Sequence, residues 1–513
     1  MRKQQCLNEK TAVFKLEDID LSKIKDKMPD IAISLLSEIK EVGGKGLLVG
    51  GYVRDMFFNI VPKDIDVEVF GIESDLLESI ASKYGKLVEV GKAFGILKLY
   101  IGDGVEIDLS LPRIDSKIAS GHRGFEVKTN PFMSIEEASK RRDFTINSMS
   151  FDPLTAELYD PYNGIKHLEE KKLAVTDEER FKDDPLRVLR GVQFAARFDL
   201  KPDEQTLRIF KEMVPLLAEI SKERILDEWS KLFLKSTKPS TGLQLALETG
   251  IIDFLHPEIK SIIGCEQEPE WHPEGDVWQH TLFCLDKAAG IIRREELTER
   301  ESLAIMFGTL CHDFGKPFVS ELTKGRITSY GHEKAGKKPT EEFLSFLGVD
   351  NLTKEKAIKL VRYHMMPSEL HKFETVNKQN VKDGTIRRLA MKLFPANIYE
   401  LTLVAEADFL GRGPFVNEDG MLFYPDDFVA GRWLLAKAEA IAVSKDRPEN
   451  VILGRDMINL GYEPGEDFGK IIKYANDLRD LKAYNREKIL KLVIKAGDTK
   501  SILSRMESLL NRK

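Results

Sequence analysis

The spacing of apolar residues changes once along this chain, and that change restricts the fold more than any other feature. Before about residue 160, short apolar runs of strand length occur at 47–51, 65–70, 96–101 and 105–111. Helix-like stretches such as 74–85 separate them, and from about Glu169 onward the spacing is helical almost throughout. Since alternation indicates strands and a period of about 3.6 residues indicates helices, we predict an α/β head with a small mixed sheet, followed by a long all-α body.

Breaks in the helical spacing divide the chain further. At 513 residues, and at roughly 150 residues per domain, three or four domains are expected. Interruptions at Lys238-Pro239-Ser240 and at Glu268-Pro269 mark candidate boundaries within the body. We predict an N-terminal tail or loosely docked first element, the head, a helical neck, a second helical domain and a C-terminal helical region, at 1–27, 28–168, 169–268, 269–415 and 416–513.

Composition excludes several classes of protein. Hydrophobic residues make up 42% of the chain and charged residues 31%, which is typical of a protein with a packed core. No apolar run approaches the roughly 18 residues of a membrane helix, and residues 1–10 lack the apolar segment of a secretory signal. Cys6, Cys265, Cys284 and Cys311 form no CxxC pair, which favours a reducing compartment. We therefore expect a cytoplasmic enzyme with no membrane partner.

The net charge limits how nucleic acid could bind. With 77 Lys and Arg against 84 Asp and Glu, the formal net charge is −7. Coating of nucleic acid through bulk positive charge is therefore disfavoured. A local basic groove on an otherwise acidic surface is still compatible with RNA binding.

The segment 47–56, with the sequence LLVGGYVRDM, suits contact with phosphate. Its pattern predicts a strand, a turn at Gly50 and Gly51, and then a helix that carries Arg54 in its first turn. Glycines let the backbone approach a ligand closely, and free N–H groups at a helix start attract phosphate. Arg54 could add a bidentate contact. On its own, this pattern is common and does not specify a function.

Asp64 and Asp66 follow closely and lead an alternating strand. Alternation places both carboxylates on one face of that strand. Two adjacent carboxylates repel each other unless a cation lies between them, and oxygen ligands suit Mg²⁺. Asp108, on another candidate strand, could supply a third ligand. A solvated strand edge is the alternative for an isolated pair, but the nearby Gly-Gly turn favours a metal site.

Histidines are concentrated in the body. Six residues there follow the order H…HD…H…H…D: His280, His312, Asp313, His332, His364 and Asp408. Imidazole together with carboxylate is a ligand set for a transition metal rather than for Mg²⁺. An isolated buried histidine is more often structural than a ligand, but a series in this order favours a metal site.

Five motifs in the first half of the chain occur in a characteristic order. They are LVGGYVRD, KDIDVEVFG, RRDFTINSMSFDP, DPYNG and DDPLRVLRGVQFAARF. This set, within about residues 45–265, resembles the class II tRNA nucleotidyltransferases and the related bacterial poly(A) polymerases. The resemblance implies a polymerase-β-like nucleotidyltransferase head, with tRNA, CTP and ATP as its partners.

The same resemblance assigns roles to residues of the head and neck. Asp64, Asp66 and Asp108 would be catalytic, and the first two would hold the Mg²⁺ ions that activate the RNA 3′-OH and neutralise the triphosphate. The expected nucleotide-binding residues are Gly50, Gly51, Arg54, Arg142, Asp143, Asp184, Arg187 and Arg190. Among these, Arg142 and Asp143 match the segment that binds the ribose and the triphosphate.

Asp184 and Arg187 would select the incoming base without a template. They lie three residues apart, hence on one helical face. A carboxylate accepts from the exocyclic amine of cytosine or adenine, and a guanidinium donates to the adjacent ring acceptor. Uracil and guanine instead present a carbonyl oxygen, which the carboxylate repels. Pro185 directly after Asp184 also fits an ordinary helix cap, which is the structural alternative.

Three features bear on which nucleotides are added. The family usually has Glu where this chain has Asp183, and often Arg where it has Gln193. The first difference could affect the switch from C to A addition, and the second removes a positive contact to the triphosphate. A Gly-rich, basic segment at 120–132, predicted to be a loop, favours addition of the complete CCA sequence.

The histidine-rich segment 269–415 resembles an HD domain, a helical bundle, and its combination with the head resembles the HD-containing bacterial CCA-adding enzymes. The resemblance implies a first metal bound by His280, His312, Asp313 and Asp408. Asp313 would bridge to a second metal bound by His332 and His364. Transition metals such as Ni²⁺, Mn²⁺ or Co²⁺ would activate water towards a phosphate ester contacted by Lys316. The expected substrates are RNA ends, such as 2′,3′-cyclic phosphates or 2′-nucleotides.

Three functions are therefore compatible with the sequence. The first is CCA addition to tRNA by the head, with phosphohydrolysis by the HD domain. The second is a poly(A) polymerase or a partial enzyme that adds only CC or only A. The third is an HD phosphohydrolase with a non-catalytic, RNA-binding head, which the intact Asp64, Asp66 and Arg142 disfavour. The sequence does not specify an oligomeric state.

Overall fold

The computed structural model describes residues 5–8, 11–15, 28–58, 64–90, 96–117, 125–417 and 419–512. The chain forms two compact units. The first comprises Met1–Leu232 and Thr241–Leu255, and the second comprises Phe233–Ser240 and His256–Lys513. The predicted head and most of the predicted neck thus fall in the first unit, and the other two helical segments fall in the second.

A mixed sheet forms the centre of the first unit. Its strands, together with those of a separate hairpin, are β1 (Gln5–Asn8), β2 (Thr11–Lys15), β3 (Lys45–Val49), β4 (Ile65–Phe70), β5 (Lys86–Val90), β6 (Ile96–Ile101), β7 (Val105–Ser110), β8 (Arg113–Lys117), β9 (Phe125–Thr129), β10 (Ser150–Asp152) and β11 (Glu157–Tyr159). Within the described residues, the sheet has the order β1-β2-β11-β10-β3-β4-β7-β6-β5. β4 and β7 are parallel, and the other neighbouring pairs are antiparallel. The predicted α/β head with a mixed sheet is therefore confirmed.

Part of the N-terminal segment 1–27, for which we predicted a tail or a loosely docked first element, pairs with this sheet. β2 pairs with β11 in antiparallel register, with Val13 opposite Tyr159, and β1 pairs with β2. Strands of four and five residues in a polar segment give too short a pattern to recognise. Their partner β11 lies far along the chain, so only tertiary pairing reveals them.

The segment 120–132 contains a strand, whereas the sequence predicted a loop. β8 and β9 form an antiparallel hairpin, with Arg113 opposite Thr129 and Lys117 opposite Phe125. Residues 118–124, which include the start of the predicted loop, lie outside the described residues. The sequence FEVKT alternates over only five residues, which is too few to distinguish a strand from a loop.

Helices pack on the sheet of the first unit. Helix Asp30–Glu41 packs on β3 with apolar residues at the helical period, Ala32, Leu35, Leu36 and Ile39. A Cβ added to Gly46 would lie 2.5 Å from Cδ2 of Leu36, so glycine in β3 permits this close approach. The later helices up to residue 255 are Gly51–Phe57, Ser74–Ala81, Ile135–Ser139, Gly164–Glu169, Glu178–Phe181, Leu186–Phe198, Glu204–Met213, Lys222–Lys235, Pro239–Glu248 and Ile251–Leu255. Lys172–Leu173 and Lys201–Pro202 form a short parallel pair.

A cluster of phenylalanine rings joins the segment before the last strands of the sheet to helix Leu186–Phe198. Phe144 contacts Phe194 and Phe210 edge to face, with ring centroids 5.7 Å and 6.2 Å apart. Edge-to-face contact is a favoured arrangement of aromatic rings. These ring contacts fix the position of the segment around Phe144 relative to helix Leu186–Phe198. The segment and the helix both contribute residues to the site described below.

The second unit is helical in most of its described residues. Its helices from residue 256 are Pro257–Ser261, Val277–Arg294, Glu299–Cys311, Lys316–Val319, His332–Ala335, Lys337–Leu347, Asn351–Tyr363, Met366–Thr375, Asp383–Leu393, Ile398–Leu410, Val429–Ala440, Gly454–Asn459, Asp467–Lys482, Arg486–Ile494 and Thr499–Asn511. Short hairpins pair Glu321–Thr323 with Arg326–Thr328 and Phe415–Val416 with Leu422–Phe423. The helical body is confirmed, with these hairpins as additions. Among the described residues, no helix has the length and apolar character to cross a membrane.

Candidate functional site

Three carboxylates of the sheet in the first unit lie close enough to affect one another electrostatically. β4 and β7 run parallel, and Asp66 and Asp108 are direct partners in their register. Asp64 directly precedes β4. Burial raises the pKa of Asp66, and the carboxylates of Asp108 and Asp64 also raise it, against the opposing effect of Arg142. Such crowding of oxygen donors fits a hard cation such as Mg²⁺.

Glu68 and Lys98 also belong to this region and were not predicted. The Glu68 carboxylate, two residues further along β4 than Asp66, lies 2.5 Å from Nη2 of Arg141 and 3.6 Å from Nη2 of Arg142. Burial would raise the pKa of Glu68, but the two arginines lower it below its ordinary value. Nζ of Lys98 lies 3.2 Å from Oδ1 of Asp108, which is opposite Asp66 in the sheet. The alternation D-I-D-V-E could have placed Glu68 on the same strand face as Asp64 and Asp66. The position of Lys98 follows only from the pairing of its strand, in which it lies opposite Asp108.

The turn at Gly50 and Gly51 lies against two arginines. Gly50 has a φ of 67°, in the region that favours glycine. A Cβ at Gly50 would lie 3.3 Å from Nη1 of Arg142, and a Cβ at Gly51 would lie 3.3 Å from Nη2 of Arg54. The turn thus places backbone N–H groups beside the Arg142 guanidinium, an arrangement that suits phosphate binding.

Arg54 has a different environment from the one predicted. Its side chain is buried, and Nε and Nη2 donate to Oδ1 of Asp55 at 2.8 Å and 2.6 Å. Nη1 donates to Oδ1 of Asn147 at 2.7 Å, and the guanidinium lies over the ring of Phe198 at 4.5 Å. These partners hold Arg54 between the glycine turn and the Asn147 segment, and a direct contact of its guanidinium with phosphate stays a prediction.

Asp143 links that segment to helix Leu186–Phe198. Oδ1 accepts from Nδ2 of Asn147 at 2.8 Å, and Oδ2 accepts from Nε of Arg190 at 2.8 Å. Burial would raise the pKa of Asp143, but Arg190 and Asn147 lower it to about 2. Asp143 is therefore ionised at neutral pH, and its two oxygens connect the sheet end with the helix that carries the predicted base-selecting residues.

Asp184 and Arg187 make separate contacts. Oδ2 of Asp184 accepts from Nη2 of Arg224 at 2.7 Å, and Oδ1 accepts from the N–H of Leu186 at 3.1 Å. Arg187 donates from Nη1 and Nη2 to the carbonyl oxygens of Arg180 and Arg141, at 2.6 Å each. Asp184 therefore accepts from the first N–H group of the helix and also pairs with Arg224, a residue that sequence analysis missed. No local pattern could have revealed that pair, because 40 residues separate its members.

Gln193 occupies a charged environment without carrying a charge. It is buried, and its Nε2 atom has no hydrogen-bond partner among the described residues. On the same helical face, Arg190 contacts Asp143 and Arg197 contacts Asp55. A neutral amide between two arginines is consistent with the expectation of one positive contact fewer.

In the second unit, the six predicted metal ligands come together in one buried cluster. Nε2 of His280 lies 3.2 Å from Oδ1 of Asp408. Nε2 of His312 lies 3.2 Å from Oδ2 of Asp313. On the other side of Asp313, Oδ1 lies 3.4 Å from Nε2 of His332, which in turn lies 3.2 Å from Nε2 of His364. Asp313 thus contacts both halves of the cluster.

Hydrogen bonds indicate the tautomers of three of these histidines. The Nδ1 atoms of His312, His332 and His364 face backbone carbonyl oxygens at 2.7, 2.8 and 2.7 Å. We therefore assign the proton to Nδ1 in each ring, which directs the Nε2 lone pair into the cluster. Burial lowers the pKa of His364 to about 3. Facing lone pairs repel each other unless a cation lies between them, and nitrogen donors beside a carboxylate fit a transition metal.

Glu274 and His272 belong to the same cluster, and sequence analysis missed both. Oε1 of Glu274 lies 2.8 Å from Nδ1 of His280 and 2.8 Å from Nδ1 of His272. Oε2 accepts from the N–H of Gly413 at 3.0 Å. Burial would raise the pKa of Glu274, but the two imidazoles lower it to about 2. A carboxylate on Nδ1 orients a metal-binding histidine, so Glu274 positions His280. The motif WHPEG shortly before His280 was the available signal.

We expect Glu274→Gln to weaken metal binding about 10- to 100-fold, because His280 loses the anionic partner that orients its ring. Metal titration by calorimetry on the full chain measures this, with a thermal melt to confirm folding. Glu270→Gln is the matched control, since Glu270 is an exposed carboxylate in the same segment and pairs with Arg326. Equal metal affinity in Glu274→Gln and the parent would contradict the assigned role.

Two cations border the cluster. Nζ of Lys316 lies 2.7 Å from Oδ2 of Asp313 and donates to Oε1 of Gln267 at 2.5 Å. Nη2 of Arg412 lies 3.0 Å from Oδ1 of Asp408. Lys316 was predicted from the sequence, whereas Gln267 and Arg412 were not. Cations beside metal ligands suit a site for phosphate esters.

Three family models match this chain. The model described as "Poly A polymerase head domain" matches residues 47–174. The model described as "Probable RNA and SrmB- binding site of polymerase A" matches residues 199–263, and the "HD domain" model matches residues 277–397. The first match covers the carboxylates of the sheet, and the third covers most of the histidine cluster.

Relatives extend this similarity over most of the chain. The multifunctional CCA protein of Mannheimia succiniciproducens is 34% identical over 384 residues, which are 72% of this chain and 84% of that protein. The fold is similar to that of the Bacillus stearothermophilus CCA-adding enzyme in complex with CTP, with a TM-score of 0.61, 18% identity, and coverage of 93% of this chain and 98% of that one. The Thermotoga maritima CCA-adding enzyme complexed with tRNA gives a TM-score of 0.56 and 19% identity, again with coverage of 93% and 98%. The identity to the first protein over most of both sequences, together with the head and HD matches, shows that this chain belongs to the CCA-adding nucleotidyltransferase family, as a member with an HD domain.

Proposed function

We propose that this enzyme adds C, C and A to the 3′ end of tRNA from CTP and ATP, without a template. The observation that carries the proposal is the direct pairing of Asp66 with Asp108, in a head where Arg142 lies beside the turn at Gly50. Carboxylates for a cation and a guanidinium for phosphate are what nucleotide transfer requires. The name of the relative and the CTP and tRNA complexes of proteins with this fold give further support.

In this proposal, Asp64, Asp66 and Asp108 hold Mg²⁺. When bound, Mg²⁺ supplies the positive charge that the triphosphate and the attacking 3′-OH need. Arg142 and the backbone of the glycine turn bind the triphosphate. Glu68 keeps the Arg142 segment on β4, so the guanidinium stays in place before the substrate arrives.

Base selection is assigned to Asp184, with Arg224 as the residue that orients its carboxylate. The side chains of both residues are partly exposed, at 30% and 25%, so a base can reach them. Arg187 remains a candidate for direct contact. Its two hydrogen bonds to carbonyl oxygens also make it a positioning residue for the segment that contains Arg141.

We expect Asp184→Ala to lose about 10- to 100-fold of the discrimination against UTP, the range for one good polar contact to a base edge. The affinity for the triphosphate should change little, because other residues bind it. Competition between CTP and UTP in single-turnover addition measures the ratio. Arg224→Ala should cause part of the same loss if it orients Asp184. An Asp184→Ala variant that rejects UTP as sharply as the parent would place base selection elsewhere.

For the second unit we propose metal-dependent phosphohydrolysis of RNA ends, such as 2′,3′-cyclic phosphates or 2′-nucleotides. The proposed ligands of Ni²⁺, Mn²⁺ or Co²⁺ are His280, His312, Asp313, His332, His364 and Asp408. When bound, the metal supplies the activation of water. Lys316 and Arg412 attract the phosphate and partly neutralise the carboxylates beside them.

One assay separates the proposed function from its alternatives. We would incubate the protein with tRNA that ends at the discriminator base and offer CTP, ATP, or both. The proposal predicts two additions from CTP and three from the mixture. A long adenosine tail from ATP would indicate a poly(A) polymerase, and a stop after CC or a need for preformed CC would indicate a partial enzyme. Absence of addition by a protein with active phosphohydrolysis would indicate a non-catalytic head.

We also propose a cytoplasmic location. Cys265, Cys284 and Cys311 are free thiols, which fits a reducing compartment. Fractionation of cells that express the tagged full-length chain tests this, and recovery of the protein with an oxidising compartment would contradict it.

A further inference from the structure

Five aromatic side chains around the histidine cluster are exposed to solvent. They are Trp271, Phe318, Tyr330, Phe423 and Tyr424, with exposed fractions of 56%, 64%, 85%, 48% and 58%. Large rings are normally buried, and a group of exposed rings in segments that border a site indicates a binding function. We infer that these five residues, the aromatic rim, bind the single-stranded end of an RNA by stacking on its bases, and so bring its terminal phosphate to the HD site. This inference rests on the proposed phosphohydrolase function.

Each part of the rim is close in the chain or in space to a residue of the HD site. Phe318 follows Lys316 by two residues, and Tyr330 precedes His332 by two. A Cβ at Gly413 would lie 3.3 Å from Cδ1 of Tyr424. The N–H of Gly413 donates to Oε2 of Glu274, the carboxylate that contacts His280. Phe318, Tyr330 and Tyr424 therefore lie within two residues or one contact of residues of the HD site.

Hydrogen bonds tie the three segments of the rim to one another. The segment 268–274, which carries Trp271, is the common partner. Oε2 of Glu268 accepts from the N–H of Ile327 at 2.9 Å, and Oε2 of Glu270 pairs with Nη2 of Arg326 at 2.6 Å. These contacts hold the hairpin between Phe318 and Tyr330. The contact of Glu274 with Gly413 holds the hairpin that carries Phe423 and Tyr424.

Two cations of the HD site, Lys316 and Arg412, provide positive charge for a phosphate beside the rim. The rim itself is not basic, since its segments 268–274 and 413–424 contain five Glu and Asp and no Lys or Arg. Aromatic rings interleaved with cations are the arrangement by which proteins bind single-stranded nucleic acid, since every base presents a face for stacking and every nucleotide carries a phosphate.

The kinetic test compares substrates with and without a base. Tyr330→Ala and Tyr424→Ala should each raise the KM for a short RNA with a 2′,3′-cyclic phosphate end by about 5- to 150-fold, the equivalent of one lost base stack. Hydrolysis of glycerol 1,2-cyclic phosphate, which has no base, should be unchanged. Tyr330→Phe and Tyr424→Phe keep the rings and should behave as the parent. Ile494→Ala, at an exposed apolar residue in another helix, is the control for surface substitution.

Fluorescence tests binding without turnover. Trp271 is exposed, Trp229 and Trp278 are buried, and Trp433 is half-buried and donates from Nε1 to Glu374. Stacking on Trp271 should therefore quench part of the emission when the same RNA is added. The quenching should be absent in Trp271→Phe. Quenching of the parent that persists in Trp271→Phe, or no quenching at all, would overturn the inference. Tyr330→Ala and Tyr424→Ala variants that hydrolyse both substrates as the parent does would also overturn it. A change in the sedimentation coefficient of these variants without a change in RNA affinity would indicate that the rim serves self-association, and would overturn it as well.

The two proposals fail in different ways. A parent protein that hydrolyses neither substrate contradicts the phosphohydrolase function, and the fluorescence difference then still decides whether the rim binds RNA. A parent that hydrolyses both substrates with equal KM supports the phosphohydrolase function and contradicts the rim.

Discussion

Asp66→Asn is expected to lower the rate of nucleotide addition about a thousandfold or more, while tRNA binding stays nearly unchanged. A two-metal site supplies several kcal/mol of transition-state stabilisation, and each 1.36 kcal/mol corresponds to about tenfold in rate. We expect the contacts to the RNA backbone, which provide most of the affinity in such complexes, not to involve Asp66. Single-turnover incorporation of CTP and a filter-binding assay measure the two quantities.

The structure supplies a stability criterion and a matched control for this variant. Burial and the neighbouring carboxylates raise the pKa of Asp66, so the ionised form is held at a cost in the free protein. Removal of the charge should therefore leave the melting temperature equal or higher at neutral pH. Glu106→Gln is the control, because Glu106 lies on β7 with Asp108 and its side chain is 54% exposed. Addition at a normal rate by Asp66→Asn would contradict the metal assignment.

Asp313→Asn is expected to lower the rate of phosphohydrolysis about a thousandfold or more and to leave the rate of CCA addition unchanged. Its two oxygens face His312 on one side and His332 on the other, so the substitution weakens both halves of the cluster. Loss of a metal that acts as a Lewis acid costs several kcal/mol. The ligand sets differ in kind, carboxylates for Mg²⁺ in the head and imidazole with carboxylate in the second unit.

Both activities should be measured on one preparation of this variant, together with its metal content and a thermal melt. Glu333→Gln is the matched control, since Glu333 is next to His332 in the chain but pairs with Arg362. A folded Asp313→Asn protein that loses nucleotide addition along with phosphohydrolysis would show that the two sites are coupled. Unchanged phosphohydrolysis would remove Asp313 from the metal site.

The strands at the centre of the head could be predicted from the local spacing of apolar residues. The alternation around Asp66 predicted β4, and apolar runs predicted β3, β6 and β7 with nearly the observed bounds. Asp108 was predicted as a third carboxylate, but its direct pairing with Asp66 was not predicted, because nothing in a single strand specifies its neighbour. β1 and β2 were missed for the same reason.

The histidine cluster was easier to predict than its surroundings. Imidazoles and carboxylates are uncommon at buried positions unless they have partners, so the order of His280, His312 and Asp313 was informative by itself. Glu274 was missed because it is not one of the residues in the H…HD…H…H…D order and is not adjacent to any of them in the chain. It contacts His280 only after the segment before helix Val277–Arg294 folds back on that helix.

Residue type and local spacing by themselves determined which groups this protein can offer: carboxylates on a strand, imidazoles at helix ends, glycines at a turn. The tertiary structure alone decided which partner each of those groups has. It engaged Arg54 with Asp55 and Asn147, directed Arg187 to carbonyl oxygens, and gave Asp184 a partner in Arg224. The physical reason is that secondary structure depends on neighbours within a few residues, whereas the partner of a charged side chain depends on which distant segments pack together to bury the core.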